Sequence, residues 1–180
     1  MLEPLPSSLH SEDSGRAHEH CKICNKAFGS EEIYGIQKVY KNYPGQGPQV
    51  LFDFALCQSC MQEARAELSV ESRLRIDEFM MQRLHALAEE GIDPKERYLQ
   101  EQCTLTGKSL TEAKEYQLVA VCQGEHLMES PLVLSDEILE AIQELLSDES
   151  RDELNRFNEN NFGWPPELQK IWQDGDYVLL

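Results

Sequence analysis

With 180 residues, 41% of them hydrophobic, the chain has room for one or two small domains and enough apolar side chains to bury a core. Sixteen Lys and Arg against 33 Asp and Glu leave a net charge of −17, so most of the surface repels phosphate backbones and nucleic acid is an unfavourable partner. No apolar run approaches the length of a membrane span.

Residues 1–19 mix Pro, Ser, His and acidic side chains without periodicity, which predicts a disordered tail; His18 and His20, beside Cys21, could compete as ligands but read as part of a mobile segment. Leu2, Leu5 and Leu9 are interrupted by Pro4 and Pro6 and form no secretory leader, so the chain is expected in the cytoplasm with its thiols reduced.

Cys21-Lys22-Ile23-Cys24 and Cys57-Gln58-Ser59-Cys60 are two CxxC pairs with 32 residues between them. Each pair is short enough to place both sulfurs about 2.3 Å from one tetrahedral ion. Cys21, Cys24, Cys57 and Cys60 are therefore the expected ligands of one structural Zn2+. Disulfides fit a chain without a leader less well, and a redox motif of the thioredoxin kind needs a single CxxC beside a βαβ unit.

Asn25 follows the first pair, where the chain must turn sharply and a residue tolerant of left-handed backbone is needed. Ile33, Tyr34, Ile36, Val39 and Tyr40 then read as a strand, 42–49 with Pro44, Gly45, Gly47 and Pro48 as a loop, and Val50–Leu56 as the return strand. Good helix formers after Cys57 place Cys57 and Cys60 on a helix's first turn, where free N–H groups favour thiolates. A second helix is predicted from about Glu71 to Glu90, with an apolar stripe of Ile76, Phe79, Met80, Leu84 and Leu87 and a stop at Gly91. This order of knuckle, hairpin and helix resembles the treble-clef zinc fold from Cys21 to about Leu68. That resemblance implies a metal and is silent on activity, because the fold hosts many.

The next stretch repeats the first. Residues 103–110 lie over 21–28 at an offset of 82, and Tyr116, Leu118 and Val121 fall on Tyr34, Ile36 and Val39. The offset then becomes 78: Leu146-Ser147-Asp148-Glu149-Ser150-Arg151 lies over Leu68-Ser69-Val70-Glu71-Ser72-Arg73, and Phe157 over Phe79. Six of the twelve positions from Leu68 to Phe79 are identical, where chance gives roughly one. Of the ligand positions the second copy keeps only Cys103; Thr106, Ser135 and Ile138 stand for Cys24, Cys57 and Cys60. Ser135 reads as a helix N-cap, Ile138 as core and Gly107 as the turn residue matching Asn25. Cys103 and Cys122 read as buried thiols, and His126 as a loop residue.

The fold class expected is thus α+β, with two tandem treble-clef-like modules of knuckle, β-hairpin and two helices, only the first with an intact four-cysteine zinc site. Their bounds are 20–92 and 93–163. The segment 164–180 is expected to dock through Trp164, Leu168, Ile171 and Trp172, with Tyr177, Val178, Leu179 and Leu180 as an apolar end. Modules of this size need a staple, so loss of zinc is expected to unfold the first and spare the second. No Ser-His-Asp pattern, phosphate loop or paired carboxylates stand out. The leading expectation is a non-catalytic, zinc-stabilised interaction or regulatory module with a protein partner; the alternatives are a nucleic-acid-associated zinc protein and a redox-switched one.

Overall fold

The computed structural model describes residues 3–175 and residue 177 of the chain. Its architecture is α+β, a six-stranded antiparallel sheet with most of its helices on one face. Short strand β1 (Glu3–Pro4) and a 3-10 turn at Ser7–Leu9 open the chain. Strands β2 (Ile33–Tyr43) and β3 (Gly47–Cys57) follow, then helices α1 (Gln58–Ala66), α2 (Val70–Glu89) and α3 (Pro94–Leu99). After β4 (Glu115–Gln123), β5 (His126–Leu127) and β6 (Leu132–Ser135) come α4 (Asp136–Leu145), α5 (Asp148–Asn161) and α6 (Pro166–Asp174).

The hairpin β2–β3 extends further than its apolar residues predict. Tyr43 pairs with Gly47, Asn42 with Pro48, and Gly45 and Gly47 take φ of 75° and 76° to close the turn. Pro48 is tolerated because β3 is an edge strand and needs no donor on its outer side.

The sheet's centre is the antiparallel pair β2–β4, in register from Ile33↔Gln123 to Lys41↔Glu115. Gln37 faces Val119, and the two are themselves 82 residues apart in sequence. This pair is therefore its own counterpart under the repeat offset, and Tyr34↔Cys122 maps onto Tyr40↔Tyr116. A local two-fold axis thus passes between Gln37 and Val119. The outer pairings obey the same rule: Tyr34↔Cys57 on one side answers Tyr116↔Ser135 on the other, with the four-residue difference taken up between the strands.

The helices meet on that axis. Ser69 caps α2 by accepting the N–H of Ser72 at 3.1 Å, and Ser147 caps α5 by accepting that of Ser150 at 3.1 Å. Each inner serine then reaches across: the Ser69 N–H donates to Ser150 Oγ at 2.9 Å, and the Ser147 N–H to Ser72 Oγ at 3.0 Å. The repeated Leu-Ser-x-Glu-Ser-Arg therefore encodes a reciprocal capping knot between two helix starts. From it α2 runs over the 93–163 half, burying Ile76 and Leu87 against Cys103, Leu134, Ile138 and Ile142, with Phe79, Met80 and Leu84 packed alongside. In the other direction α5 carries Phe157 and, at its C-cap, Phe162 into a cluster with Cys21, Phe54, Cys57 and Cys60.

A division at 92/93 accordingly does not separate two cores. The strands pair across it and the second helices are exchanged, features that a local reading of each half cannot register because both are long-range.

The 1–19 tail also needs correction, since residues 3–19 are folded. Leu9 is fully buried on the face of the sheet opposite α1 and α4, beside Ile36, Leu118 and Ala120, with Leu5 and Tyr98 of α3 packed nearby. That face is apolar and needs a cover, which local composition does not reveal. Polar groups hold the cover down: Lys38 Nζ, on a side chain 1% exposed, donates to Glu12 Oε1 at 2.6 Å, and the Glu12 N–H donates to Asp53 Oδ2 at 2.7 Å. His18 Nε2 lies 3.1 Å from Asp53 Oδ1, in an ordered cluster and not in a tail.

At the other end, Trp164, Leu168 and Trp172 dock on Phe52 and Phe54 of β3, while Ile171 stays 40% exposed. Tyr177 joins that cluster; Val178, Leu179 and Leu180 lie outside the described residues. No described helix is long and apolar enough to cross a membrane.

Candidate metal centre

Two backbone devices bring the four cysteines together. In the knuckle, the Cys21 N–H donates to the Lys26 carbonyl at 2.8 Å and the Asn25 N–H to the Cys21 carbonyl at 3.0 Å, with Asn25 at φ 59° as the turn requires. The Lys22 N–H then donates to Ala55 of β3 at 2.8 Å, pinning the knuckle to the strand that ends at Cys57. Cys57 is the N-cap of α1 and Cys60 lies on its first turn, so both thiols sit at the helix's positive end.

The four sulfurs all lie within 4.8 Å of one another, and Cys24 Sγ is 3.6 Å from Cys57 Sγ. Ligands about 2.3 Å from a tetrahedral ion stand about 3.8 Å apart, so the cluster has the size of a metal cage. All six cysteines are free thiols. Cys21, Cys57 and Cys60 are 2%, 1% and 3% exposed, whereas Cys24 is open to solvent.

Metal-free, these thiols compete. Burial opposes ionisation of Cys57, but the Ser59 hydroxyl at 3.2 Å, the Cys60 N–H and the neighbouring thiols outweigh it and bring the group down to about 6. Burial first, then its thiol neighbours Cys57, Cys24 and Cys21, push Cys60 up. At Cys24 the Lys26 N–H favours the thiolate, yet burial and hydrogen bonds with Cys21 and Cys57 leave it above the usual thiol value. One thiolate is stabilised at the expense of the others, and a cation is what permits all four. Ser59 is the residue that motif reading passes over, although a small donor between two cysteines at a helix start is visible in the sequence.

The corresponding place in the second half has the same backbone and no cage. The Cys103 N–H donates to the Lys108 carbonyl at 2.8 Å, the Gly107 N–H to Cys103 at 2.9 Å and the Thr104 N–H to Val133 at 2.7 Å, with Gly107 at φ 73°. The bridges His20↔Ala27 and Gln102↔Ser109 are likewise 82 residues apart. Cys103 and Ile138 are buried, and Thr106, like Cys24, is exposed.

Ser135 stands at the N-cap of α4 but its hydroxyl accepts no helix N–H among the described residues, contrary to the capping role expected of it. Asp136 takes that part instead, accepting the N–H of Glu137 at 3.1 Å and that of Lys114 at 2.9 Å. The Ser135 N–H donates to Cys103 Sγ at 3.4 Å. Burial opposes ionisation of Cys103, but donors on Ser135 and Thr106 outweigh it and hold the thiol below its usual value.

Where the cysteine cage joins knuckle to helix in the first half, an ion pair does so in the second. Lys108 Nζ lies 3.3 Å from Asp136 Oδ1 and 3.0 Å from Glu137 Oε1. Burial acts to raise the Asp136 carboxyl, but the Lys114 N–H and the Lys108 ammonium outweigh it and hold it below its usual value. Cys122 is buried in a different cluster from Cys103, and burial pushes it up to about 12; His126 is exposed on β5. Neither joins a metal-sized group among the described residues.

No protein-family profile matches the chain, and comparison with curated proteins and solved structures found no match.

Proposed function

We propose that the chain is a non-catalytic protein-interaction module, built from two treble-clef-like copies of which only the first binds metal, and that the metal is one structural Zn2+ on Cys21, Cys24, Cys57 and Cys60. The observation that carries this reading is the setting of the cage: three of its sulfurs are buried and belong to the same apolar cluster as Phe54, Phe157 and Phe162. A catalytic zinc keeps a position for water or substrate, which four thiolates in an apolar wall leave no room for. Soft sulfur in tetrahedral array favours zinc over hard cations. Free thiols throughout support a reducing compartment such as the cytoplasm.

Cobalt substitution tests the reading. A tetrathiolate Co2+ centre with no open position keeps its visible spectrum when imidazole or azide is added. A shifted spectrum would reveal an exchangeable position and remove the non-catalytic reading.

One observation favours a second reading, a redox-switched module: Cys24 is the exposed ligand and lies 3.6 Å from Cys57, so an oxidant reaches it first and a partner sulfur is adjacent. Zinc release at stoichiometric peroxide, reversed by thiol, is its signature; retention of the metal rejects it.

A further inference from the structure

The local two-fold axis gives the sheet two equivalent grooves on its helix-bearing face, one beside α1 and one beside α4. Val121 and Val39 floor them and are counterparts at the 82 offset; Met61 and Arg65 of α1 correspond to Leu139 and Gln143 of α4 at 78. Beside α4 the groove is filled. Val39 is 0% exposed in a cluster with Phe52, Trp172 and Tyr177, and Gln143 Nε2 donates to the Tyr177 carbonyl at 2.9 Å. The chain thus lays its own C-terminal segment there, an aromatic ring in the apolar cluster and a main-chain carbonyl on the helix side chain.

Beside α1 the same plan is uncovered among the described residues. Val121 is 37% exposed, and a groove of about 260 Å3 runs between Met61, Leu56, Val119 and Val121 with Arg65 at its edge. Gly35 floors it where the other half has Gln117; a Cβ there would collide with the Met61 thioether. Methionine suits a wall that must fit an incoming side chain, being unbranched and polarizable.

We propose that this groove is a docking site for an extended segment of a partner protein, which inserts one aromatic or large aliphatic side chain between Met61 and Val121 and presents a main-chain carbonyl to Arg65. The proposal rests on the interaction-module reading above and assigns it a surface. A second copy's tail is not the occupant, because its Tyr177 is already seated in its own chain. Arg65 is available: its partner Asp77 is half exposed, and such pairs exchange at little cost. With a net charge of −17 on the chain, the segment is neutral or basic.

The test is a titration of the isotope-labelled, metal-loaded full chain with a blocked peptide Gly-Lys-Tyr-Val-Lys, read by amide shifts. Shifts centred on Gly35, Met61, Val119 and Val121 are expected, weakened about tenfold or more when the peptide's Tyr is replaced by Gly or when a charge is placed on the floor by Val121→Glu. Val121 is already part exposed, so that variant keeps its fold. Arg65→Gln, which installs the residue of the filled groove, should retain binding. No shifts, shifts elsewhere, or shifts indifferent to Val121→Glu overturn the proposal. So does binding seen only in a chain ended after Tyr177, which would make residues 178–180 the occupant. A normal cobalt spectrum in each case separates failure of the groove from failure of the structural-metal reading.

Discussion

Stripping the metal should unfold both halves together. Structural zinc contributes on the order of 10 kcal/mol in small domains, which is comparable with the whole stability of a typical protein of this size. The first half therefore cannot outlast its ion, and the question is whether the second can stand without the first. Loss of β2 removes all nine register pairs that it makes with β4, leaving β4 only its four with β6 and two with β5. At 0.2–1 kcal/mol per cross-strand pair, that is about 2–9 kcal/mol. Release of α2 would also uncover Ile76 and Leu87, worth about 3–6 kcal/mol together. Together these losses approach the whole stability of a marginally stable domain, so the second half is not expected to survive alone. Tryptophan fluorescence cannot decide this, since Trp164 and Trp172 both belong to the cysteine cluster. Hydrogen exchange with and without a strong chelator can: Ile33–Leu87 and Tyr116–Phe157 should lose protection at the same chelator concentration. Full protection of Tyr116–Phe157 while Ile33–Leu87 exchanges would refute the interlocked core.

Two further outcomes follow from the serine knot and the ion pair. Ser150→Ala removes the acceptor of the Ser69 N–H at a fully buried site and should cost about 1–3 kcal/mol in denaturant melts, with coupling to Ser72→Ala of at least about 0.5 kcal/mol; additive effects would mean that the two helix starts do not interact. Lys108→Met should destabilise at neutral pH and progressively less in acid: the Asp136 carboxyl is held below its unfolded value, so its contribution is present above about pH 4 and lost as pH falls through the folded value, and an equal penalty at pH 7 and pH 2.5 would count against it.

Local chemistry was legible in the sequence and pairing was not. The two CxxC motifs, Asn25 at its turn and Gly91 just past its helix each act within a few residues, and each is where local reasoning puts it. Leu5 and Leu9 gave no signal because the face they cover is assembled from strands far along the chain. Ser135 misled for a related reason. Its sequence position is that of a cap, but it also occupies the place of a cysteine, and there its hydroxyl finds no helix N–H while Asp136 one residue on caps instead. Lys108 gave no local signal, because its partners lie 28 and 29 residues away.

The exchange of helices bears on why one half can do without an ion. The 93–163 core receives five apolar side chains from α2, namely Ile76, Phe79, Met80, Leu84 and Leu87, because α2 is 20 residues long. In the opposite direction α5 has 14 residues and delivers Phe157 and its C-cap Phe162, so the core around Cys21 and Cys60 depends on α6, Tyr177 and the cage for the remainder. Apolar burial contributes up to about 1.5–3 kcal/mol per large side chain, so the three extra, partly buried side chains of the longer helix offset part of what a structural ion supplies. On the two-copy reading, the half that receives the longer helix is the one in which a ligand cysteine could become Ile138 and an ion pair of Lys108, beside the bonds of Thr104 to Val133 and of Ser135 to Cys103, could tie the knuckle. The half that receives the shorter one retains its four thiols. Because each core is completed by a helix from the other half, an ion held by the four clustered thiols would staple both.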